Sequence, residues 1–355
     1  MKRRTFLKTV GSFATGGALG VQSILGGCEQ AASTGTTEKV AGLPRRILGR
    51  TGRKVSIVGF PGLALIHYEQ ERCNAGLHNA FKRGVNYFDV APAYGNGDAE
   101  IKMGIGLQGI DRSRIFLACK TNKRDKEGAR MELERSLKRL KTDYFDLYQL
   151  HHLRWPDEVK QALGPNGAMV TILKAKEQGK IKHIGFSAHT TKGALEAMKG
   201  FRFDTVMFPI NFVEFFKMDF GKPVLELANK QGAAVLAIKP MSTGLWPKDA
   251  VRTRKWWYRT TETQEEVNIA MRFTLSKKPV AAGIPPSFLD LLDKAIEAGR
   301  SYKPINKTET KKLQEMAKTC ESVFRREEEQ VARGGLIHEP VYTDSPHECC
   351  TCAYV

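Results

Sequence analysis

Asp89, Lys120 and His151 are three side chains of different chemistry, each 31 residues from the next, and Tyr94 follows the first by five positions. Each of the three closes a short apolar run (85–90, 115–120 and 144–150) of the kind that forms a buried strand. In α/β folds, functional groups collect at the C-terminal ends of strands. A phenol, with a pKa of about 10, is a poor acid at neutral pH. A neighbouring Lys120 ammonium would favour the phenolate and lower that pKa, and Asp89 would pair with Lys120 to hold the ammonium in a partly buried site. His151 can donate to a carbonyl oxygen and orient it. An acid beside a polarised carbonyl is what reduction by hydride needs: hydride reaches carbon while Tyr94 protonates oxygen.

The elements that must position these groups follow a regular alternation. A hairpin over 47–55, turned at Thr51-Gly52, precedes strands at 55–60, 86–90, 115–120, 144–150, 183–186, 205–208, 233–238 and 280–284. Helical periodicity predicts helices over 69–82, 99–107, 129–140, 167–178, 192–198, 223–231, 263–275 and 288–298. Eight β-then-α units over about 250 residues have the size and order of an α/β chain folded as a (β/α)8 TIM barrel. The N-terminal β-hairpin and a C-terminal helical extension are appended to it. A doubly wound open sheet would carry a Gly-x-Gly-x-x-Gly turn after its first strand, where Gly59-Phe60-Pro61-Gly62 stands instead. A last helix is expected over 308–330, with Leu313, Met316, Ala317, Cys320, Val323 and Phe324 on its apolar face and Arg325 to Glu329 as a solvated one.

Residues 1–27 read as an export signal. Lys2-Arg3-Arg4-Thr5-Phe6-Leu7-Lys8 resembles a twin-arginine sequence, and the stretch that follows is too polar for a membrane span. Leu25-Gly26-Gly27-Cys28 resembles a lipobox, which implies lipidation of Cys28, membrane anchoring and a location outside the cytoplasm. The Ala-, Ser-, Thr- and Gly-rich stretch within 28–44 reads as a flexible tether, 45–300 as the barrel, and 301–355 as a C-terminal helix with a cysteine-containing tail. The net charge of +18 is spread along the chain with no basic run interleaved with aromatics. That argues against nucleic acid as a partner and suits an anionic cofactor.

Five segments in order resemble the aldo-keto reductase family: 48–55 (Leu-Gly-Arg-Thr-Gly-Arg-Lys-Val), 88–100 (Phe-Asp-Val-Ala-Pro-Ala-Tyr-Gly-Asn-Gly-Asp-Ala-Glu), 117–121 (Leu-Ala-Cys-Lys-Thr), 143–151 (Asp-Tyr-Phe-Asp-Leu-Tyr-Gln-Leu-His) and 184–187 (Ile-Gly-Phe-Ser). The resemblance implies a catalytic tetrad of Asp89, Tyr94, Lys120 and His151, a small carbonyl or alcohol substrate, and NADPH or NADH bound without a Rossmann fold. It implies nicotinamide contacts from Ser187 and Asn211, although Ala188 stands where the family carries an Asn. It also implies pyrophosphate contacts from Lys239, Pro240, Gly244 and Leu245, and adenosine contacts from Pro285 and Ser287. Leu289, Asp290, Leu291 and Leu292 stand where a basic clamp for a 2′-phosphate is expected, which favours NADH. Export favours a tightly held cofactor, since free nicotinamide cofactor is scarce outside the cytoplasm.

Three further expectations are open to the structure. Trp256, Trp257 and Tyr258 would either wall the substrate pocket or anchor their loop. No metal site is expected, and Cys320, Cys349, Cys350 and Cys352 lack the usual Cys-x-x-Cys spacing for zinc or a cluster. Two other functions remain: an exported nicotinamide-binding accessory or sensor protein with little turnover, and a metal-dependent barrel hydrolase using His67, His151 and His152.

Overall fold

A computed structural model of the chain describes residues 38–334. The signal, Cys28, all but the last residues of the tether, and Cys349, Cys350 and Cys352 lie outside the described residues. The described part opens with a small antiparallel sheet of β1 (Lys39–Val40), β2 (Leu43–Ile47) and β3 (Lys54–Ser56). Thus the tether ends earlier than expected: Val40 pairs with Leu43, which is fully buried.

Eight parallel strands follow, hydrogen-bonded in chain order: β4 (Phe60–Pro61), β5 (Tyr87–Asp89), β6 (Phe116–Thr121), β7 (Phe145–Leu153), β8 (Ile181–Ala188), β9 (Thr205–Pro209), β10 (Ala234–Ile238) and β11 (Val280–Ile284). The ring closes where Val58 bridges Gly283 in parallel, with the Gly59 N–H donating to Gly283 O (3.0 Å) and the Gly283 N–H to Ile57 O (2.9 Å). This is the (β/α)8 barrel. The helices are α1 (Gln70–Lys82), α2 (Asp98–Gly106), α3 (Lys126–Leu140), α4 (Pro156–Leu163), α5 (Ala168–Glu177), α6 (Thr191–Gly200), α7 (Phe212–Met218), α8 (Lys222–Gln231), α9 (Gln264–Leu275), α10 (Leu289–Arg300), α11 (Lys307–Lys318) and α12 (Arg325–Arg333).

The twofold alternation of a strand separates two apolar sets. Tyr87, Phe116, Ala118, Leu147, Met207, Leu236 and Ala282 point inward and pack together, with Leu48 and Val55 of the N-terminal hairpin region joining them. Phe88, Leu117, Cys119, Tyr148, Leu150 and Phe186 point outward into the larger core under the helices. Cys119 therefore faces away from the interior, as expected from its place beside Lys120. By the same alternation, the inward set continues to Asp89, Lys120 and His151 at the barrel mouth.

The expected strand at 55–60 is divided. Val55 pairs with Arg46 in the small sheet, whereas Val58 and Phe60 belong to the barrel. The crossing is fixed by the buried Ser56, whose hydroxyl donates to Val58 O (2.7 Å) and whose N–H donates to Asn86 Oδ1 (2.7 Å). The helix α7 was not anticipated: its aromatic-rich sequence is a weak helix former. Its signal was the Asn211-x-x-Glu214 spacing, since Asn211 Oδ1 accepts from the Glu214 N–H and caps the helix.

The single helix expected over 308–330 is two helices. The chain leaves α11 at Thr319 and re-enters helix at Arg325 because the intervening residues are drawn into the barrel. Phe324 is fully buried and stacks on Phe220 (5.2 Å between centroids). The Ser322 hydroxyl and Val323 N–H donate to the buried Glu214 carboxylate, at 2.5 and 2.8 Å. Within 325–329, Arg325, Arg326 and Glu329 are exposed as expected, but Glu327 is 1% exposed and faces inward.

Burial pushes the Glu214 carboxyl up to about 7, against the two hydrogen bonds from Ser322 and Val323, which favour its ionised form. An acid with a raised folded pKa stabilises the fold below its unfolded value and loses that contribution as pH rises through the folded one. Each tenfold in proton affinity is worth about 1.4 kcal/mol, so stability should fall by roughly 3 kcal/mol between its ordinary pKa and about 7. Urea denaturation across that range should show this slope. The Glu214→Gln variant should flatten it; an unchanged slope would contradict the assignment.

Candidate active site

The site is built at the C-terminal mouth of the barrel. Asp89 ends β5, Lys120 stands on β6 and His151 on β7, all buried. Tyr94 is carried by the turn after β5, its N–H donating to Ala91 O (3.0 Å). Gly97 in that turn has φ +93°, a left-handed backbone that L side chains rarely adopt. Glycine takes it without strain.

The Lys120 ammonium makes three donations: to Asp89 Oδ2 (2.5 Å), to Tyr94 Oη (3.0 Å) and to Val90 O (3.1 Å). Lys120 is 0% exposed, so its charge acts with little screening by water. Burial raises the Asp89 carboxyl above the usual carboxylate range, opposed by the charge and hydrogen bond of Lys120 and by the Tyr94 and Tyr87 hydroxyls. The Tyr94 oxygen accepts from the ammonium, so its own proton is the one it has to give. The His151 ring stands edge-on to Tyr94 at 5.8 Å. Sequence and structure thus agree on these four residues as one group.

Tyr94, Asp89 and His151 open onto a cavity that Trp256, Trp257 and Tyr258 also line. These aromatics do line the pocket. Of the residues expected to hold a cofactor, Ser187, Lys239, Pro285 and Ser287 also line it. The others do not. Asn211 is buried as the cap of α7, and Pro240 lies outside the lining. Leu245 donates its N–H to Glu321 O (3.0 Å), and a Cβ on Gly244 (φ +88°) would lie 2.2 Å from that same oxygen. The segment before α12 thus packs against the loop to which the resemblance assigned pyrophosphate contacts. Cys320 is buried, its Sγ donating to Met316 O (3.2 Å) and accepting from Arg259 Nη2 (3.6 Å), an ordinary packing position.

Sequence reasoning did not bring together His152 and His189, which line the cavity, with Glu327. His152, His189 and Glu327 are buried and bring ligand-type atoms within 4.8 Å of one another, the residue types of a metal site. Fixed cations already stand there: Arg154 Nη1 lies 3.5 Å from Glu327 Oε1 and Lys239 Nζ lies 3.3 Å from His189 Nε2. Added dication charge would be repelled by both. The His67, His151 and His152 set required by a hydrolase does not share the cavity lining: His67 stacks flat on Phe288 (5.0 Å) and stands edge-on to Trp256 (6.0 Å), outside the lining. The Arg254 guanidinium, another group with no motif, reaches over Phe288 and pairs with both Glu262 and Asp290 at 2.7 Å.

The geometry has counterparts among known proteins. The aldo-keto reductase YhdN of Bacillus subtilis is 34% identical over 185 residues, covering 48% of this chain and 52% of that protein. The L-galactose dehydrogenase of Arabidopsis thaliana is 32% identical over 157 residues, 40% of this chain and 47% of that one. The chain thus spans about half the length of these curated relatives. In fold, it resembles the holo form of aldo-keto reductase AKR11C1 from Bacillus halodurans, with a TM-score of 0.64 and 22% identity over 79% of this chain and 98% of the other. The profile of the Aldo/keto reductase family matches residues 66–332, from the first helical turn to the end of α12, and the chain belongs to that family of oxidoreductases.

Proposed function

We propose that the protein interconverts a small carbonyl compound and its alcohol with a nicotinamide cofactor, Tyr94 serving as the proton donor. The observation that carries this reading is the Lys120 ammonium, buried and held by Asp89 at 2.5 Å, donating to the Tyr94 oxygen at 3.0 Å on the wall of the cavity. The cavity residues fit the cofactor. Ser187 Oγ accepts from the His152 N–H (2.7 Å) and keeps its own hydrogen to donate, as a carboxamide oxygen requires. Lys239 offers a cation, Ser287 a hydroxyl, and Trp256 and Trp257 flat faces. When bound, the cofactor supplies hydride to the carbonyl carbon. Tyr94 gives its proton to the carbonyl oxygen, and the phenolate left behind is stabilised by the Lys120 ammonium. Asp89 holds that ammonium in place. His151 donates a ring N–H to the same carbonyl oxygen, fixing the substrate and polarising it.

The environment of Arg254 favours NADH. Arg254 is already paired with two carboxylates, Glu262 and Asp290, so gripping a 2′-phosphate beside α10 would cost those pairs. Fluorescence titration of purified protein should show NADH binding more tightly than NADPH. The Asp290→Ala variant should narrow that preference by about fivefold, the scale of one partly exposed ion pair. Failure of both cofactors to bind at millimolar concentration would remove the reductase reading, whereas binding with no turnover of any carbonyl would favour the nicotinamide-binding accessory alternative.

A further inference from the structure

His151 and His152 are consecutive, yet both line the cavity. A regular strand cannot do this, since successive side chains point to opposite faces. The pairing of β7 with β8 shows how it is achieved. Leu150 is opposite Phe186 and Leu153 is opposite Ala188, so three steps on β7 match two on β8. One extra residue has been inserted, a β-bulge, and His152 takes it up with φ at +58°. Inward-facing positions on β7 are odd up to His151; beyond the bulge, Leu153 packs outward in the core under the helices. The bulge therefore sets where His151 points, and left-handed backbone at a histidine persists only when its surroundings hold it.

Two side chains from neighbouring units do the holding. Arg124, from the turn between β6 and α3, sends one guanidinium nitrogen, Nη2, to two successive carbonyls of the bulge: His151 O at 2.8 Å and His152 O at 3.3 Å. Its Nη1 donates to Asn122 O (3.1 Å), tying the fork to its own turn. Glu158 on α4 lies 3.6 Å from Nη2 and also accepts from the Arg154 N–H (3.1 Å), which closes the far side of the bulge. Ser187 on β8 accepts from the His152 N–H at 2.7 Å. Arg124 is 6% exposed and lies outside the cavity lining, so it does not touch a bound substrate directly. The planar fork joins two segments, Nη2 on the bulge carbonyls and Nη1 on Asn122 O, a fixed geometry that the point charge of a lysine lacks.

We infer that Arg124 is a positioning residue, which holds the His151–His152 bulge from behind and thereby aims His151 at the carbonyl oxygen. The inference rests on the reductase reading for its kinetic consequence, but not for its structural one. Two measurements on the full chain separate these. The first is kinetics: Arg124→Ala should lower kcat by roughly tenfold to a hundredfold, the scale of a misaimed group, with cofactor affinity within about twofold of wild type. Guanidinium added at a non-denaturing concentration should restore part of that loss, and Arg124→Lys should be intermediate. The second is the imidazole NMR signal of His151, assigned by its loss in His151→Gln; it should shift in Arg124→Ala with no cofactor or substrate present. Should Arg124→Ala not fold, Arg124→Lys is read by the same two measurements. His151 signals that superimpose on wild type, with only the melting temperature lowered, would overturn the inference and make Arg124 a structural residue. A shifted signal in a protein that reduces no carbonyl would instead uphold the positioning role and overturn the reductase reading.

Discussion

Replacing Tyr94 by Phe should lower carbonyl reduction by roughly a hundredfold to ten-thousandfold while leaving the fold in place, the range attributed to a positioned general acid. The substitution removes one oxygen. That oxygen accepts from Lys120 at 3.0 Å and stands 3.5 Å from Asp89 Oδ2, a distance too long for a strong bond. The stability cost should therefore be about 1 kcal/mol, that of one ordinary hydrogen bond. Lys120 retains Asp89 and Val90 O as partners, so the charged pair survives. Cofactor affinity should be nearly unchanged, because the phenol acts on the carbonyl oxygen. Loss of affinity and rate together would point to a collapsed pocket.

Lys120→Met should be worse in two ways. The phenolate formed when Tyr94 gives up its proton loses its counter-charge, so the rate should fall at least as far as in Tyr94→Phe. Stability should fall as well. Asp89 is 3% exposed, and burial already raises its carboxyl, held in check chiefly by Lys120. Removing one partner of a buried ion pair typically costs about 3–5 kcal/mol. With the cation gone, Asp89 should hold its proton to higher pH, and the variant should lose stability as pH rises through that raised value. Adding Asp89→Asn to Lys120→Met should recover much of the stability, since the uncompensated charge disappears, and none of the activity. Denaturant melts of the three variants across neutral pH, with rates measured on the folded protein, would check both halves.

The tetrad was legible because one β/α unit repeats along the chain. Asp89, Lys120 and His151 lie at equivalent ends of successive strands, and alternation along each strand sends all three inward. The barrel was legible for the same reason. What the sequence did not disclose depends on contacts between distant segments. Nothing local to Thr319–Phe324 marks the end of a helix; the break follows from Glu214, more than a hundred positions earlier, accepting from Ser322 and Val323. Glu327 sits in an Arg- and Glu-rich run that looks solvated until Arg154 and His152 are placed beside it. Gly244 and Leu245 match a cofactor loop by pattern, yet their backbone meets Glu321. The bulge at His152 is invisible to hydrophobic periodicity, because a strand with one extra residue still reads as a strand.

The central claim is that this cavity moves hydride to a carbonyl carbon while Tyr94 protonates its oxygen. The most direct measurement uses NADH carrying deuterium at its transferable position, a panel of small aldehydes and ketones, and mass spectrometry of the products from wild type and Tyr94→Phe. Deuterium at the carbinol carbon of at least one product from wild type, formed at least a hundredfold more slowly by Tyr94→Phe, is the predicted result. A wild-type protein that binds NADH yet yields no deuterated alcohol from any carbonyl, or a Tyr94→Phe variant as fast as wild type, would contradict it.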